Sequence, residues 1–397
     1  MKKTLAILEQ ISVAAGSFIF FILVSRMAGA ESFGEFTKIF ISSQIIYSIS
    51  AQWIVVPITS TRINTEELNL YSSSLTRLFT YAGFIPIIAI IFFYLFSSKI
   101  EFFLFILSVT LLSIGLIFFE LLRYFNIRIN KVPQQLKLNI LRWFISIAFV
   151  FFLSKNINNF VFIITFSYLI GLSPIFYKQL LLALEIRPTI FISKIETIDN
   201  YTEHSKTMAS LGLSTAFFTV ITTMLMSRIS VSALGAVQAF RSIVNWAPLL
   251  VQHIETHFSA ERLNKKDYSF LNSYWYGFFM LFFISTTIFF YFYDEWIIFT
   301  VLGSSYIEYS SALIIVFILV MVQSATRILG AQARLHNLQH IYKKQVYILL
   351  LSSLFFGLLY FILEIKAGIN LLLMLMTLVA IVQAITMFYF LNNRKKL

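Results

Sequence analysis

Near the start of the chain, residues 25–36 read SRMAGAESFGEF between two long apolar runs. Arg26 closes the first run, a short turn containing Gly29 follows, and the second run begins around Phe36. An ionisable residue inside a membrane helix is costly unless it faces a watery cavity or a polar partner. This stretch therefore predicts a membrane hairpin with Arg26 at the wet rim of a cavity.

The composition extends this prediction to the whole chain. Of 397 residues, 59% are hydrophobic and only 12% are charged, about half the charged fraction of a soluble domain. Twelve stretches reach the roughly 20 apolar residues that a membrane helix needs. These predicted spans are 7–29, 36–59, 75–97, 101–124, 136–154, 160–183, 207–228, 236–258, 270–293, 309–332, 342–364 and 368–391. The sequence thus predicts an all-α polytopic membrane protein.

Most of the net charge of +12 is explained by basic residues in segments that are predicted to face the cytoplasm. With both termini inside, most Lys and Arg residues, Arg123 and Arg142 among them, fall in or next to inside segments. The outside loops hold only Lys99, Lys155 and Lys366, and Arg26, Lys38 and Arg228 lie near helix ends on that side. Cytoplasmic loops attract basic residues. This bias predicts cytoplasmic termini and removes the need for a nucleic-acid partner.

The chain also has the signs of an internal duplication. Its longest polar connector, 184–206, separates the sixth and seventh spans, which predicts an N-lobe at 1–190, a cytoplasmic linker at 191–206 and a C-lobe at 207–397. Arg228 follows Arg26 by 202 residues, and Gly235 follows Gly34 by 201. Six helices in each half predict two pseudo-symmetric lobes related by an axis along the membrane normal, with a substrate cleft between them.

Enzyme motifs are missing from the sequence. It has no H-E-x-x-H, no phosphate loop ending in Lys-Ser/Thr and no G-x-S-x-G. His253 and His257 share a helix face beside Glu255, but without a further ligand we predict no metal site. We predict no cofactor either, and uphill transport would draw on an H⁺ or Na⁺ gradient, the membrane potential or consumption of the product.

Arginines are the best candidates for binding a substrate in the cleft. A guanidinium forms bidentate hydrogen bonds with phosphate oxygens, and amides suit sugar hydroxyls. The predicted substrate-binding residues are Arg26, Arg228, Arg241, Arg327, Gln52, Asn245 and Gln323. The alternative for each arginine is an ion pair or a guanidinium that reaches the interface. Arg241 is predicted to lie about one turn into the eighth span.

Three acids inside spans, Glu9, Glu120 and Glu255, are candidates for binding a coupling proton or sodium ion. Glu120 has a second interpretation, because Arg123 lies three residues further on and the two can pair at helical spacing.

The first hairpin resembles that of the MOP superfamily and, within it, the O-antigen and capsule polysaccharide flippases. The matching residues are Arg26, Gly29 and the run Phe33-Gly34-Glu35-Phe36. The resemblance implies a MATE-like transporter of the bacterial inner membrane. It would flip an undecaprenyl-diphosphate-linked oligosaccharide repeat unit from the cytoplasmic to the periplasmic leaflet by alternating access. Its partners would be that glycan, membrane lipids and the polysaccharide polymerase and chain-length regulator.

Two other functions compete with this interpretation. A MATE-like cation-coupled drug antiporter has the same fold but needs a negatively charged lumen for cationic drugs, whereas this lumen is predicted to be positive. A membrane oligosaccharide polymerase or ligase needs a sizeable outer loop with catalytic residues, and the predicted outer loops are short.

Overall fold

The computed structural model describes residues 2–54, 82–96, 99–129, 131–154, 159–185, 199–245, 273–335, 339–362 and 368–392. These residues form twelve α-helices and one 3-10 helix, Ser304–Tyr309. The α-helices are α1 (Lys2–Ile54), α2 (Ile85–Leu95), α3 (Phe102–Arg128), α4 (Val132–Ser154), α5 (Phe160–Gly171), α6 (Ser173–Glu185), α7 (Asp199–Ile229), α8 (Val231–Val244), α9 (Ser273–Val301), α10 (Ser311–Leu335), α11 (Gln339–Ile362) and α12 (Ile369–Asn392).

Each of the twelve predicted spans contains α-helix. Among the described residues, seven helical segments are long and apolar enough to cross a membrane. Large apolar side chains such as Phe103, Phe144 and Leu281 remain about 70% exposed, which fits a lipid solvent rather than water. The chain is therefore an all-α, multi-pass membrane protein, as the sequence predicts.

The first hairpin turns at one residue. Gly29 has φ 72° and ψ 171° inside α1, a conformation that is essentially restricted to glycine. The predicted turn is thus shorter than expected, because helix resumes at Ala30. Lys38, predicted near a helix end on the outside, instead lies within the helix, where it is buried and its Nζ is 2.9 Å from Glu35 Oε1. Neutralisation by Glu35 explains how this lysine is buried.

Four other helices, α4, α7, α8 and α11, begin at least three residues earlier than predicted, and the shifts are largest for α7 and α8. α7 starts at Asp199, so the second half of the predicted linker 191–206 is helical. α8 starts at Val231 rather than 236, because the Ser230 hydroxyl caps it by accepting a hydrogen bond from the backbone N–H of Ala233 at 3.3 Å. A serine cap of this kind satisfies one of the free N–H groups of the first turn.

Contacts divide the chain into two compact units. The N-terminal unit contains Met1–Gly16 and Glu35–Met224, and the C-terminal unit contains Ser17–Gly34 and Leu225–Leu397. The predicted lobe boundaries follow the sequence repeat and stay a prediction. The units differ from them in that 207–224 joins the N-terminal unit and 17–34 joins the C-terminal unit. One reason is that the Tyr306 hydroxyl donates to the Ser25 carbonyl at 2.9 Å.

The N-terminal unit is held by close helix packing around α4. Any side chain at Gly16 of α1 would overlap the Trp143 ring, with its Cβ 2.0 Å from Cδ1. A Cβ on Gly171 of α5 would overlap the Ser146 hydroxyl and lie 2.9 Å from the Arg142 carbonyl. These glycines let α1 and α5 approach α4 closely, as small residues do in membrane helix packing.

Candidate functional site

A polar face runs along α8 in the C-terminal unit. Gln238, Arg241 and Asn245 are spaced three and four residues apart, so they share one side of the helix. All three are partly exposed, whereas the neighbouring positions Ala239, Phe240 and 242–244 are buried. From Gln238 to Asn245 this face is about 10 Å long. It offers a cation flanked by two amides.

Arg241 is the cation of this face and lies further along its helix than predicted. It is ten residues from the start of α8, or about 15 Å along the axis, not about one turn. Its Nε is buried without a hydrogen-bond partner, and no salt bridge within the described residues involves it. A buried donor without a partner is rare in native proteins and marks a place for water, an ion or a ligand.

A second polar face lies on α10, which packs beside α8. Gln323 and Arg327 are four residues apart and both are exposed, so their side chains stand next to each other on the helix surface. Both residues are among the predicted substrate-binding residues. The structure places them in the same unit as Arg241 and Asn245.

The two remaining candidate arginines lie at helix ends and are exposed. Arg26 donates from Nη1 to the Thr300 carbonyl at 2.8 Å, close to the C-terminus of α9, where the helix dipole favours a cation. Arg228 lies in the last turn of α7. Beside Arg26, burial raises the pKa of the Tyr306 phenol, which keeps this hydroxyl a hydrogen-bond donor. Arg26 thus has a structural contact in addition to its predicted role.

The N-terminal unit holds its charges differently. Arg123 donates to both carboxylate oxygens of Glu9, at 2.8 and 3.3 Å, and more weakly to Glu120 at 3.5 Å. Glu9 and Arg123 are almost fully buried. The predicted pair of Glu120 and Arg123 is therefore confirmed, but the dominant partner of Arg123 is Glu9, which the sequence analysis did not pair with it.

Amides extend this buried network along α4. Asn139 donates to Glu9 at 3.0 Å, Gln135 donates to Asn139 at 2.9 Å, and Asn126 donates to Gln135 at 2.9 Å. Each side-chain amide in this series donates a hydrogen bond to the following member, as a stable buried network requires.

Arg142, counted in the sequence analysis with the inside charges, is buried in α4 instead. Its guanidinium lies 4.3 to 5.0 Å from the rings of Phe119, Trp143 and Tyr168, and it donates to the Tyr168 hydroxyl at 2.5 Å. Aromatic faces stabilise a desolvated cation, which explains how Arg142 is tolerated at this depth.

Known structures share this helical arrangement over nearly the whole chain. An inward-facing MATE-family multidrug resistance transporter of the MOP superfamily covers 99% of this chain and 96% of its own, with TM-score 0.65 and 13% identity. The lipid II flippase MurJ in an inward closed conformation covers 98% of this chain and 87% of its own, with TM-score 0.66 and 14% identity. This is the fold of the MOP-superfamily transporters.

A third MOP transporter, from Pyrococcus furiosus, is described as having a binding pocket of reverse polarity that suggests a different function. It covers 99% of this chain and 96% of its own, with TM-score 0.53 and 12% identity. No protein-family model and no curated protein matches the chain. At these identities the likeness establishes the fold, and the MOP fold holds more than one kind of transporter.

Within the MOP fold, the described candidates fall into two groups. Arg26, Arg228, Arg241, Asn245, Gln323 and Arg327 belong to the C-terminal unit, and Glu9 and Glu120 belong to the N-terminal unit. The Gln52 side chain, Glu255, His253 and His257 lie outside the described residues.

Gln238 and the buried position of Arg142 were not predicted from the sequence. Helical spacing could have found both. Gln238 lies three residues before Arg241, and Arg142 lies three residues after Asn139, so each shares a face with a polar residue.

Proposed function

We propose that this protein flips an undecaprenyl-diphosphate-linked oligosaccharide repeat unit from the cytoplasmic to the periplasmic leaflet of the bacterial inner membrane. The observation that carries the proposal is Arg241, a cation in the last turn of the apolar helix α8, with an unpaired Nε and no salt bridge among the described residues. Keeping such a charge is costly. An anionic substrate group that binds there would offset the cost.

The contrast with Arg123 supports a binding role for Arg241. Arg123 is neutralised by carboxylates within the N-terminal unit, so it cannot bind a substrate anion without breaking those pairs. Arg241 retains free hydrogen-bonding capacity on a partly exposed face. A guanidinium matches the geometry of diphosphate oxygens and binds them by charge-assisted hydrogen bonds.

The amides beside the arginines suit the sugar part of the substrate. Gln238 and Asn245 flank Arg241, and Gln323 stands next to Arg327. Amide groups both donate and accept, so they can bond sugar hydroxyls in either direction. Gln52 remains a predicted member of this set. The lipid tail would stay in the bilayer against the apolar helix surfaces.

A drug antiporter is the second candidate, because multidrug MATE transporters have the same fold. A site that selects cationic drugs requires negative charge where the drug binds. The described polar faces of α8 and α10 carry Arg241 and Arg327 and no acid. Like charges would repel a cationic drug, which favours the anionic substrate.

Coupling to a proton or sodium ion belongs to the same proposal. Of the two candidate acids that the structure describes, Glu120 is the better one, because its hydrogen bond to Arg123 is long and its side chain is 13% exposed. Glu9 is fully buried and accepts three hydrogen bonds from Arg123 and Asn139. Glu120 can therefore gain a proton with less disruption.

The test is translocation in proteoliposomes that contain the purified protein. We expect a fluorescent undecaprenyl-diphosphate oligosaccharide to cross the bilayer faster than in protein-free vesicles, and a cationic dye to show no protein-dependent uptake, because the site is cationic. An undecaprenyl alcohol carrying the same sugars without the diphosphate is the control and should not be flipped. Dye uptake without lipid translocation would favour the antiporter and overturn the proposal.

A further inference from the structure

Arg142 of α4 is a buried cation that no carboxylate contacts within the described part of the chain. It is 2% exposed, and the salt bridges between described residues involve the cations Lys38 and Arg123 only. Its one hydrogen bond there runs from Nη2 to the Tyr168 hydroxyl, and its Nε is buried without a partner. A buried N–H group in this state marks a place for water or an ion.

Glu120 does not serve as the missing partner of Arg142. It follows Phe119, whose ring lies 4.3 Å from the Arg142 guanidinium, and it attracts Arg142 electrostatically. Its carboxylate, however, pairs with Arg123 at 3.5 Å, as that of Glu9 does at 2.8 Å. Two acids therefore share Arg123, whereas Arg142 is left with aromatic rings that stabilise its charge but leave Nε without an acceptor.

Two buried hydroxyls on α4 and α5 also lack partners. They belong to Ser146 and Ser167, which are both 0% exposed. A hydroxyl inside a helix can bond the carbonyl four residues earlier. Other buried hydroxyls do so, such as those of Ser42, Ser113 and Thr222. The two exceptions therefore have hydrogen-bonding capacity that the helices do not use, and we call Arg142, Ser146 and Ser167 the donor cluster.

The donor cluster lies on the facing sides of α4 and α5. Arg142 and Ser146 are one turn apart on α4. Arg142 contacts α5 through Tyr168, and Ser146 contacts it at Gly171, where a Cβ would overlap the serine hydroxyl. Ser167 is one turn before Gly171, so it is on the side of α5 that faces α4.

We propose that the donor cluster binds a small monovalent anion of the size of chloride inside the N-terminal unit. Every unpartnered atom of the cluster can donate a hydrogen bond, because Nε is a donor and a hydroxyl donates wherever an acceptor is present. An anion would accept these bonds and also neutralise the buried charge of Arg142, which water would not do. All three residues belong to the N-terminal unit, so the site shares no residue with the polar faces of α8 and α10.

Charge and burial select the kind of anion. The cluster offers one positive charge, whereas a phosphate group carries about −1.5 to −2 near neutral pH. Its residues are at most 2% exposed, so an ion that enters must lose its water, and a buried charge without a counter-charge is very costly. Chloride meets both conditions. The inference goes beyond the proposed flippase function and does not depend on the transported substrate.

The first test is thermal unfolding of the purified protein in detergent, with chloride replaced by gluconate at constant ionic strength. Gluconate is the reference because it is too large for a buried site of this kind. We expect the unfolding midpoint to rise with chloride and to level off after about 2–4 °C, because an ion that binds only the folded state stabilises it. A midpoint that does not depend on chloride would overturn the proposal.

Two arginine variants locate the ion. Arg142→Gln removes the guanidinium and should abolish the chloride-dependent rise. Arg241→Gln is the matched control, because Arg241 also has an unpartnered Nε but belongs to the C-terminal unit; this variant should keep the full rise. Loss of the rise in Arg241→Gln and not in Arg142→Gln would place the chloride on the α8 face and contradict the donor cluster.

Ser146→Ala tests whether a hydroxyl of the cluster binds the ion. The variant should reduce the chloride-dependent rise, yet in gluconate it should be at least as stable as the parent protein, because a buried hydroxyl without a partner is destabilising. Ser113→Ala is the control, since the Ser113 hydroxyl is also buried but bonds the Val109 carbonyl at 2.6 Å, and it should keep the rise. An undiminished rise in Ser146→Ala would contradict the donor cluster.

A measurement on the unsubstituted protein applies even if Arg142→Gln fails to fold. Crystals grown with bromide in place of chloride should give an anomalous difference peak beside Arg142 Nε and Ser146 Oγ. Bromide bound only elsewhere, or an ordered water at this position, would overturn the anion site. Either result leaves the flippase proposal intact, because that proposal is tested by translocation of the lipid.

Discussion

Replacing Arg241 with alanine is expected to lower translocation of the lipid-linked oligosaccharide by about tenfold to hundredfold, the equivalent of losing one charge-assisted hydrogen-bond group of 1.5–3 kcal/mol. The physical reason is that Arg241 is the described cation on the α8 face with an unpaired Nε. Arg241→Lys keeps the charge but loses the planar guanidinium. Its translocation rate should therefore fall between those of the parent protein and Arg241→Ala. Initial rates in proteoliposomes measure the effect.

Folding must be separated from binding in this series. Arg241 has no described salt bridge to lose, so Arg241→Ala should leave the midpoint of thermal unfolding in detergent unchanged or raised. Lys99→Ala is the control, because it removes an exposed cation in the segment just before α3. We expect this variant to translocate the lipid at the rate of the parent protein. Full activity of Arg241→Ala in protein that inserts normally would show that the anion binds elsewhere.

The second large effect concerns stability. Arg123→Leu leaves Glu9 buried without its cation, and breaking a buried ion pair in this way costs about 3–5 kcal/mol. We expect a marked fall in the midpoint of thermal unfolding, measured in detergent by intrinsic tryptophan fluorescence. The Glu9→Gln, Arg123→Gln double variant removes both charges and should recover most of the loss.

Glu120→Gln is the matched control for Arg123→Leu, because it removes the weaker partner of Arg123. Glu120 is 3.5 Å from Arg123 and partly exposed, so its loss should lower the unfolding midpoint much less than Arg123→Leu does. The interpretation fails if the double variant is as unstable as Arg123→Leu, because the network would then depend on the shape of Arg123 and not on its charge.

Helix content was predictable from the sequence because it depends on local patterns. Apolar length and positive loops determine where helices cross a membrane, and each predicted span does contain helix. The equivalence of Gly34 and Gly235 was visible from spacing alone. Their close approach was not, because the sequence does not show which helices cross at these residues.

The errors arose where tertiary contacts override local patterns. Lys38 and Arg142 looked like residues near the membrane surface, because a sequence does not show the Glu35 carboxylate or the three aromatic rings that let each cation be buried. The pairing of Glu9 with Arg123 joins residues 114 apart, beyond the reach of helical periodicity. The distance of Arg241 from the start of α8 was underestimated because the Ser230 cap starts this helix five residues before the apolar run suggested.

The central claim is that Arg241 binds the acidic group of the substrate. A structure of the protein with undecaprenyl diphosphate bound tests it most directly. The account predicts phosphate oxygens within hydrogen-bonding distance of the Arg241 guanidinium, about 2.7–2.9 Å, with the lipid tail outside the polar faces of α8 and α10. A diphosphate bound far from Arg241, with this guanidinium paired to a carboxylate or turned toward lipid, would contradict it.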